Sequence, residues 1–286
     1  IPSSLVGSEM CIRDRTVELI STYNDQTASF ATSYGSFMRN FIVHTPPNFD
    51  YQTESLPLLF VLHGYTGRAP SIREYSGFDQ IADEERFIVV YVQGTTDQFG
   101  NTGWNVNVVA SFLGVDDVGF FKALIKYFKA SYNIDSNKIF SSGMSLGGFM
   151  SYRLACELEE INSIGSVTGS MAGYYQCNPP KKSSIIHLHG MNDAIVPYNG
   201  VEWSFSAKAA HDFWKNHNQC NSQNEITIPD FNGDGEYTTR LISYDCEDNK
   251  SVELYSLEGE GHTWWKKSWG HDINTSELIW QFFKSQ

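Results

Sequence analysis

The apolar positions of this chain alternate between two patterns. Leu56–Leu62 (LPLLFVL) and Phe87–Val92 (FIVVYV) are short and almost continuously apolar, as strands covered on both faces are. Lys138–Ser142, Ile164–Thr168, Ser184–Leu188 and Val252–Leu257 read as further strands, preceded by Thr16–Thr22 and Phe37–His44. Between them, apolar residues recur at helical spacing. Behind a cap at Asp116-Asp117, the residues Val118, Phe121, Leu124, Ile125 and Phe128 share one face of a helix reaching Ser131. Ile72–Glu85, a stretch ending near Glu159, Val201–His217 and Ile273–Phe283 read as helices too, and Glu225–Tyr244 as a hairpin turning at Gly233-Asp234-Gly235. This alternation predicts an α/β fold, a mostly parallel central sheet flanked by helices on both faces. No repeat or linker divides it, so residues 16–286 are expected to form a single domain.

Ile1 to Arg15 follows neither pattern. It has no charged head before an apolar block, so it is no signal peptide, and it is set aside as a non-native or disordered leader. The formal charge of −13 argues against nucleic acid and anionic membranes as partners. Five cysteines include Cys11 in the leader; Cys156, Cys177, Cys220 and Cys246 remain. Four allow three pairings, and sequence neighbours suggest Cys156–Cys177 and Cys220–Cys246, with four buried thiols as the alternative. Disulfides imply a secreted, extracellular protein.

The candidate chemistry lies where strands end. Gly143-Met144-Ser145-Leu146-Gly147 is a G-x-S-x-G turn between a strand and a helix, the setting of an exposed nucleophilic serine. A serine needs a histidine base, and the histidine needs a carboxylate. Asp193 follows the strand at 184–188 and His262 the strand at 252–257, giving the order Ser145, Asp193, His262. The backbone N–H groups of Leu146 and Tyr65 are the expected oxyanion donors. Asp116 and Asp117 are rival acids better explained as caps, and His271 is a rival base. His63 reads as a structural hydrogen-bonding residue; His187 and His189 read as packing residues.

Several further motifs stand in order along the chain: Leu62-His63-Gly64, Gly103-Trp104-Asn105, Val115-Asp116-Asp117-Val118-Gly119-Phe120, His189-Gly190-x-x-Asp193-x-x-Val196-Pro197-Tyr198 and Gly261-His262-Thr263-Trp264. With the serine turn, they resemble the esterase family of polyhydroxybutyrate depolymerases and the feruloyl and acetylxylan esterases of carbohydrate-esterase family 1. The resemblance runs from Phe37 to Phe283 and implies an α/β-hydrolase with the catalytic residues Ser145, Asp193 and His262. It also implies secretion and disulfides. Leu146 stands where the family often has Asn, and Tyr65 where some members have Cys, which makes the cleft more apolar.

The expected activity is hydrolysis of carboxylic esters, feruloyl or acetyl groups on polysaccharide or polyhydroxyalkanoate-type polyesters. Aromatic polyester of the poly(ethylene terephthalate) type is an alternative substrate. A non-catalytic carbohydrate binder of hydrolase fold is the alternative of another class, and a peptidase ranks below both. Tyr65, Trp104 and Trp264 are the expected substrate-binding aromatics, with Trp265 a further candidate. Asp230-x-Asn232-x-Asp234-Gly235 matches half of a calcium loop, but Leu241 stands where the closing Glu belongs, and a hairpin turn explains it. No metal and no cofactor is expected, and the protein is expected to act as a monomer.

Overall fold

The structure, a computed structural model, describes residues 10–12, 15–24 and 26–286. The centre of its main sheet is parallel: β6 (Ile88–Val92), β5 (Leu56–Leu62), β9 (Ile134–Met144), β10 (Ser163–Val167), β11 (Ser184–Gly190) and β14 (Val252–Leu257). Antiparallel strands extend both edges. On one side stand β4 (Phe37–His44), β3 (Thr27–Tyr34), β2 (Arg15–Asn24) and β1 (Met10–Ile12); on the other, β13 (Thr238–Tyr244) and β12 (Ser222–Ile228). The whole order is β1-β2-β3-β4-β6-β5-β9-β10-β11-β14-β13-β12. Three residues of the segment set aside as a leader, Met10–Ile12, thus pair with β2. The side chain of Cys11 and residues 1–9, 13 and 14 lie outside what is described.

The apolar runs are continuous because each strand feeds two cores. In β5, Leu58, Phe60 and Leu62 point into a core shared with α3 (Asp117–Ser131), α4 (Leu146–Glu157) and α5 (Ala207–His217). Leu59 and Val61 point the other way, into a core shared with α1 (Ala69–Ser76), α2 (Phe78–Glu85) and α6 (Thr275–Lys284). The two-residue period of a strand, with helices over both faces, leaves no position for a polar side chain in β5. A short hairpin, β7 (Thr95–Thr96) and β8 (Thr102–Gly103), stands apart from the main sheet.

Several elements differ from their expected form. The helix read over Ile72–Glu85 is two helices, parted at Gly77, whose φ of 71° ends one helix in the left-handed region and starts the next. The helix read from Val201 begins at Ala207, because Ser206 caps it by accepting the Ala209 N–H at 3.1 Å. Residues 201–204 instead bridge to each other and to Ala172. Strand β3 stands outside the apolar runs of the sequence. Its buried positions include Thr27, Ala28, Ser29, Ala31 and Thr32, too small and polar to give an apolar run.

Both expected disulfides are formed. Cys156–Cys177 ties the end of α4 to the loop after β10, and Cys220–Cys246 ties the segment after α5 to the end of β13.

Candidate active site

The serine turn is built by steric exclusion. A Cβ on Gly147 would lie 2.3 Å from the Leu62 carbonyl oxygen, and one on Gly143 would lie 2.5 Å from the Gly147 carbonyl carbon. Only glycine at both positions lets β9, β5 and α4 meet this closely. Ser145 sits between them at φ 55°, ψ −122°, a conformation that a non-glycine residue holds only when its surroundings enforce it. The Ser145 N–H donates to Val167 O at 2.8 Å, and its carbonyl accepts from the Gly148 and Phe149 N–H groups. Leu146 opens α4, so its N–H has no acceptor within the helix.

The loop after β5 lies against this turn: a Cβ on Gly64 would be 3.2 Å from Ser145 Cβ. His63 fixes it. Its Nε2 accepts the Gly94 N–H at 2.9 Å, so in the neutral ring Nδ1 carries the proton and donates to Gly64 O at 2.7 Å. Burial pushes the His63 pKa down to about 4, although the Gly64 carbonyl favours the cation. Trp104 Nε1–H donates to His63 O at 2.8 Å, and the Thr66 N–H to Thr102 O at 2.8 Å. Tyr65, carried by this loop, is 43% exposed.

Asp193 and His262 meet from neighbouring strand ends. Asp193 Oδ1 accepts the N–H groups of Ile195 at 2.8 Å and Val196 at 2.9 Å, and Oδ2 accepts His262 Nδ1–H at 2.7 Å. Burial pushes the Asp193 carboxyl up. Hydrogen bonds from His189, His262 and the Val196 N–H together outweigh it and hold the group well below the usual carboxylate range. With Nδ1–H committed to the carboxylate, Nε2 of His262 is the nitrogen left to exchange protons. Ser145 and His262 line one cleft of about 640 Å³, with Gly64, Tyr65, Arg68, Tyr75 and Trp269 among its walls.

Two of the expected substrate aromatics are elsewhere. Trp104 is fully buried, its ring 5.1 Å from that of His63, and it acts on the loop from behind. Trp264 is also fully buried; its Nε1–H donates to Ser276 Oγ at 2.9 Å and its ring meets Phe78 edge-on. Trp265 is fully buried as well. The aromatic walls are instead Tyr65, Tyr75 and Trp269, the last two stacked at 5.5 Å, with Trp269 50% exposed. Trp269, an aromatic among polar neighbours in Lys266-Lys267-Ser268-Trp269-Gly270, carries the same sequence signal as Trp104.

The rival residues have other partners. Asp116 caps α3, accepting the Gly119 N–H at 2.9 Å. Asp117 does more than cap: it is buried, pairs with Arg39 at 2.6 Å and accepts the Asn105 N–H at 2.7 Å, which anchors the Gly103-Trp104-Asn105 segment. His271 Nδ1 lies 2.5 Å from Glu260. Asp230 accepts the N–H groups of Gly233 and Gly235 inside the hairpin turn.

The fold is that of an α/β-hydrolase, with a strained serine between β9 and α4 and with Asp193 and His262 after β11 and β14, beyond the intervening β10. No family model matches the chain. Among curated proteins it is similar to a bifunctional acetylxylan esterase/xylanase of Neocallimastix patriciarum (25% identical over 79% of this chain) and to feruloyl esterase B of Piromyces equi (25% over 78%). It covers 31% and 42% of those two longer proteins. Against feruloyl esterase D of Neurospora crassa it is 24% identical over 91% of this chain and 86% of that one. Among solved structures, acetyl xylan esterase from Aspergillus awamori matches with a TM-score of 0.61 over 95% of this chain and all of that one, at 14% identity. An acylaminoacyl peptidase of Pyrococcus horikoshii shares the fold at a TM-score of 0.57, 11% identity, 93% of this chain and 42% of that one. The chain is thus similar to feruloyl and acetylxylan esterases, the resemblance that its motifs implied.

Proposed function

We propose that this chain is a serine carboxylic ester hydrolase acting through an acyl-enzyme. His262 Nε2 takes the proton of Ser145 as its oxygen attacks the ester carbonyl. The N–H groups of Leu146 and Tyr65 receive the negative charge that develops on the carbonyl oxygen. His262 then protonates the leaving alcohol and activates water to release the acid, while Asp193 orients the imidazole and stabilises its cation. The observation that carries this reading is the 2.7 Å bond from His262 to a buried, ionised Asp193, in the cleft that also holds Ser145 on its strained turn.

The cleft also bears on the substrate. A space of about 640 Å³ walled by Tyr65, Tyr75 and Trp269 exceeds what an acetyl group needs and suits a flat aromatic acyl group, feruloyl before acetyl. Aromatic polyester fits the same walls as a side activity. Two disulfides support a place outside the reducing cytoplasm, and we assign the enzyme to the extracellular space.

The test is Ser145→Ala against methyl ferulate and a p-nitrophenyl ester, with thermal melting as the folding control. The expected loss of kcat is on the order of 10⁶-fold. Turnover retained by a folded variant would end the proposal, as would failure of the native chain to react with a fluorophosphonate probe, since only an activated serine is labelled.

A further inference from the structure

Behind Asp193 lies a file of buried polar rings that the reaction above does not use. Tyr152 of α4 places its hydroxyl 3.0 Å from His187 Nδ1; His187 Nε2 is 2.9 Å from His189 Nδ1; His189 Nε2 is 2.8 Å from Val196 O. That last nitrogen also lies 3.4 Å from Asp193 Oδ2, the oxygen that holds His262. All three side chains are buried.

We propose that His189 is a positioning residue for Asp193, kept in the required tautomer by hydrogen bonds running from Tyr152 through His187. The proposal rests on the triad reading above. The Val196 carbonyl can only accept, so His189 Nε2 carries a proton. In a neutral ring His189 Nδ1 then accepts, His187 Nε2–H donates to it, and His187 Nδ1 accepts from the Tyr152 hydroxyl. Each ring nitrogen in the file has one role, and the N–H at its end is aimed between the Val196 carbonyl and the carboxylate. Burial holds His187 well below the usual histidine range, with the neighbouring His189 and His211 adding to the effect against a hydrogen bond to the Gly169 backbone, so this middle ring is uncharged in the working pH range. A shift by one nitrogen would turn a lone pair of His189 toward Asp193 and repel it.

The groups facing this file are few. Tyr198 packs its ring 5.8 Å from that of His189, with its hydroxyl on Ser256 at 2.6 Å. His187 faces the Gly169 backbone and, from α5, His211, which is itself bonded to Asp212 at 3.1 Å. Asp193 meets His262, His189 and the Ile195 and Val196 N–H groups.

The experiment measures pH profiles of kcat and KM for His189→Leu, His189→Gln and Tyr152→Phe, with Asp193→Asn alongside. Without the His189 N–H, the carboxylate keeps more of its charge for His262 and binds the imidazolium more tightly. The acid limb of kcat/KM in His189→Leu is therefore expected to move to higher pH, with kcat down about 10- to 100-fold and KM unchanged. His189→Gln returns an N–H donor and is expected to recover most of both. Tyr152→Phe keeps the ring, removes the far donor and is expected to shift the limb less, in the same direction; it carries the test if His189→Leu does not fold. If Asp193→Asn is inactive while a folded His189→Leu matches the native enzyme in kcat and acid limb, the proposal is overturned. A Tyr152→Phe profile superimposed on the native one overturns the tautomer file. If Asp193→Asn itself keeps native turnover, the triad reading fails, and the role given to His189 falls with it.

Discussion

Two loops form the sides of the cleft, and they are held differently. The loop after β5 is tied down from behind by buried bonds. His63 grips Gly64 and Gly94, Trp104 grips the His63 carbonyl, and Thr102 receives the Thr66 N–H. The loop after β14 is half-exposed and held chiefly by side chains. His262 hangs on Asp193, and the Tyr75 hydroxyl meets Thr263 Oγ1 at 2.7 Å and the Trp264 N–H at 3.1 Å. Its main-chain ties include the Asn192 N–H to Glu260 O at 2.9 Å, the Glu258 N–H to Tyr237 O at 3.1 Å and the Thr275 N–H to Trp265 O at 3.0 Å. The difference follows from the work proposed for each. A donor that stabilises developing charge is useful only if already in place, because reorganisation during the reaction cancels its benefit. A base that takes a proton from one oxygen and gives it to another must be oriented yet free to adjust.

If that contrast holds, damage behind the first loop costs stability and chemistry together. Trp104→Ala empties a fully buried site and strips the His63 carbonyl of its donor. The expected loss is about 3–5 kcal/mol of folding stability, read from urea denaturation, with kcat falling and KM little changed in whatever folded protein remains. A Trp104→Ala protein that melts normally and turns over normally would show that the first loop holds itself in place.

His63 gives a second, smaller handle. Its pKa is about 4 in the folded chain against an ordinary histidine value of 6.5. Between those values the unfolded chain binds a proton that the folded one refuses, so stability falls as pH drops from about 6.5 to about 4 and levels off below, where folded and unfolded chains bind it equally. The full contribution is about 3 kcal/mol by that linkage. His187, depressed by burial, acts in the same direction. Asp193, held below the ordinary carboxylate range, adds its own loss only under about pH 4. Urea midpoints measured from pH 7 to pH 4 are expected to fall less steeply in His63→Gln than in the native chain. Parallel curves would mean that His63 is not held neutral, and the rigid-loop argument would lose its main pin.

The same two loops show what a sequence discloses. Ser145, Asp193 and His262 could be picked out because each follows an apolar strand, and a parallel sheet delivers every strand end to one rim. Strand β5 was equally plain, since both its faces are apolar. Strand β3 is not, because Thr and Ser among its buried positions interrupt Ala28, Phe30, Ala31 and Tyr34 and leave no apolar run. The break at Gly77 was hidden inside an otherwise good helical period. The aromatics divided on a property that composition does not carry. Trp104 has polar neighbours in sequence, but the Arg39–Asp117 pair draws its segment inward: Asp117 takes the Asn105 N–H, and the Arg39 guanidinium lies 6.0 Å from the indole. Which residues of a polar stretch turn inward depends on partners many positions away.

The smallest expected effect belongs to the second loop and to the substrate. Trp269 is half exposed, stacks on Tyr75 and lines the cleft beyond His262. Lys266 also meets it, with Nζ 4.5 Å from the ring centroid. Removing the indole empties no core, so Trp269→Ala is expected to leave the melting temperature nearly unchanged, the opposite of Trp104→Ala. If the Trp269–Tyr75 wall receives an aromatic acyl group, the lost ring contact is worth about 1 kcal/mol, roughly fivefold in kcat/KM. That loss should appear for methyl ferulate and be absent for ethyl acetate, whose acyl group is too small to reach the wall. Equal losses on both esters would place Trp269 in the support of His262 rather than in substrate recognition. No loss on either would move the acyl group to the Tyr65 side, and the division between a rigid charge-stabilising loop and an adaptable substrate-facing one would have to be redrawn.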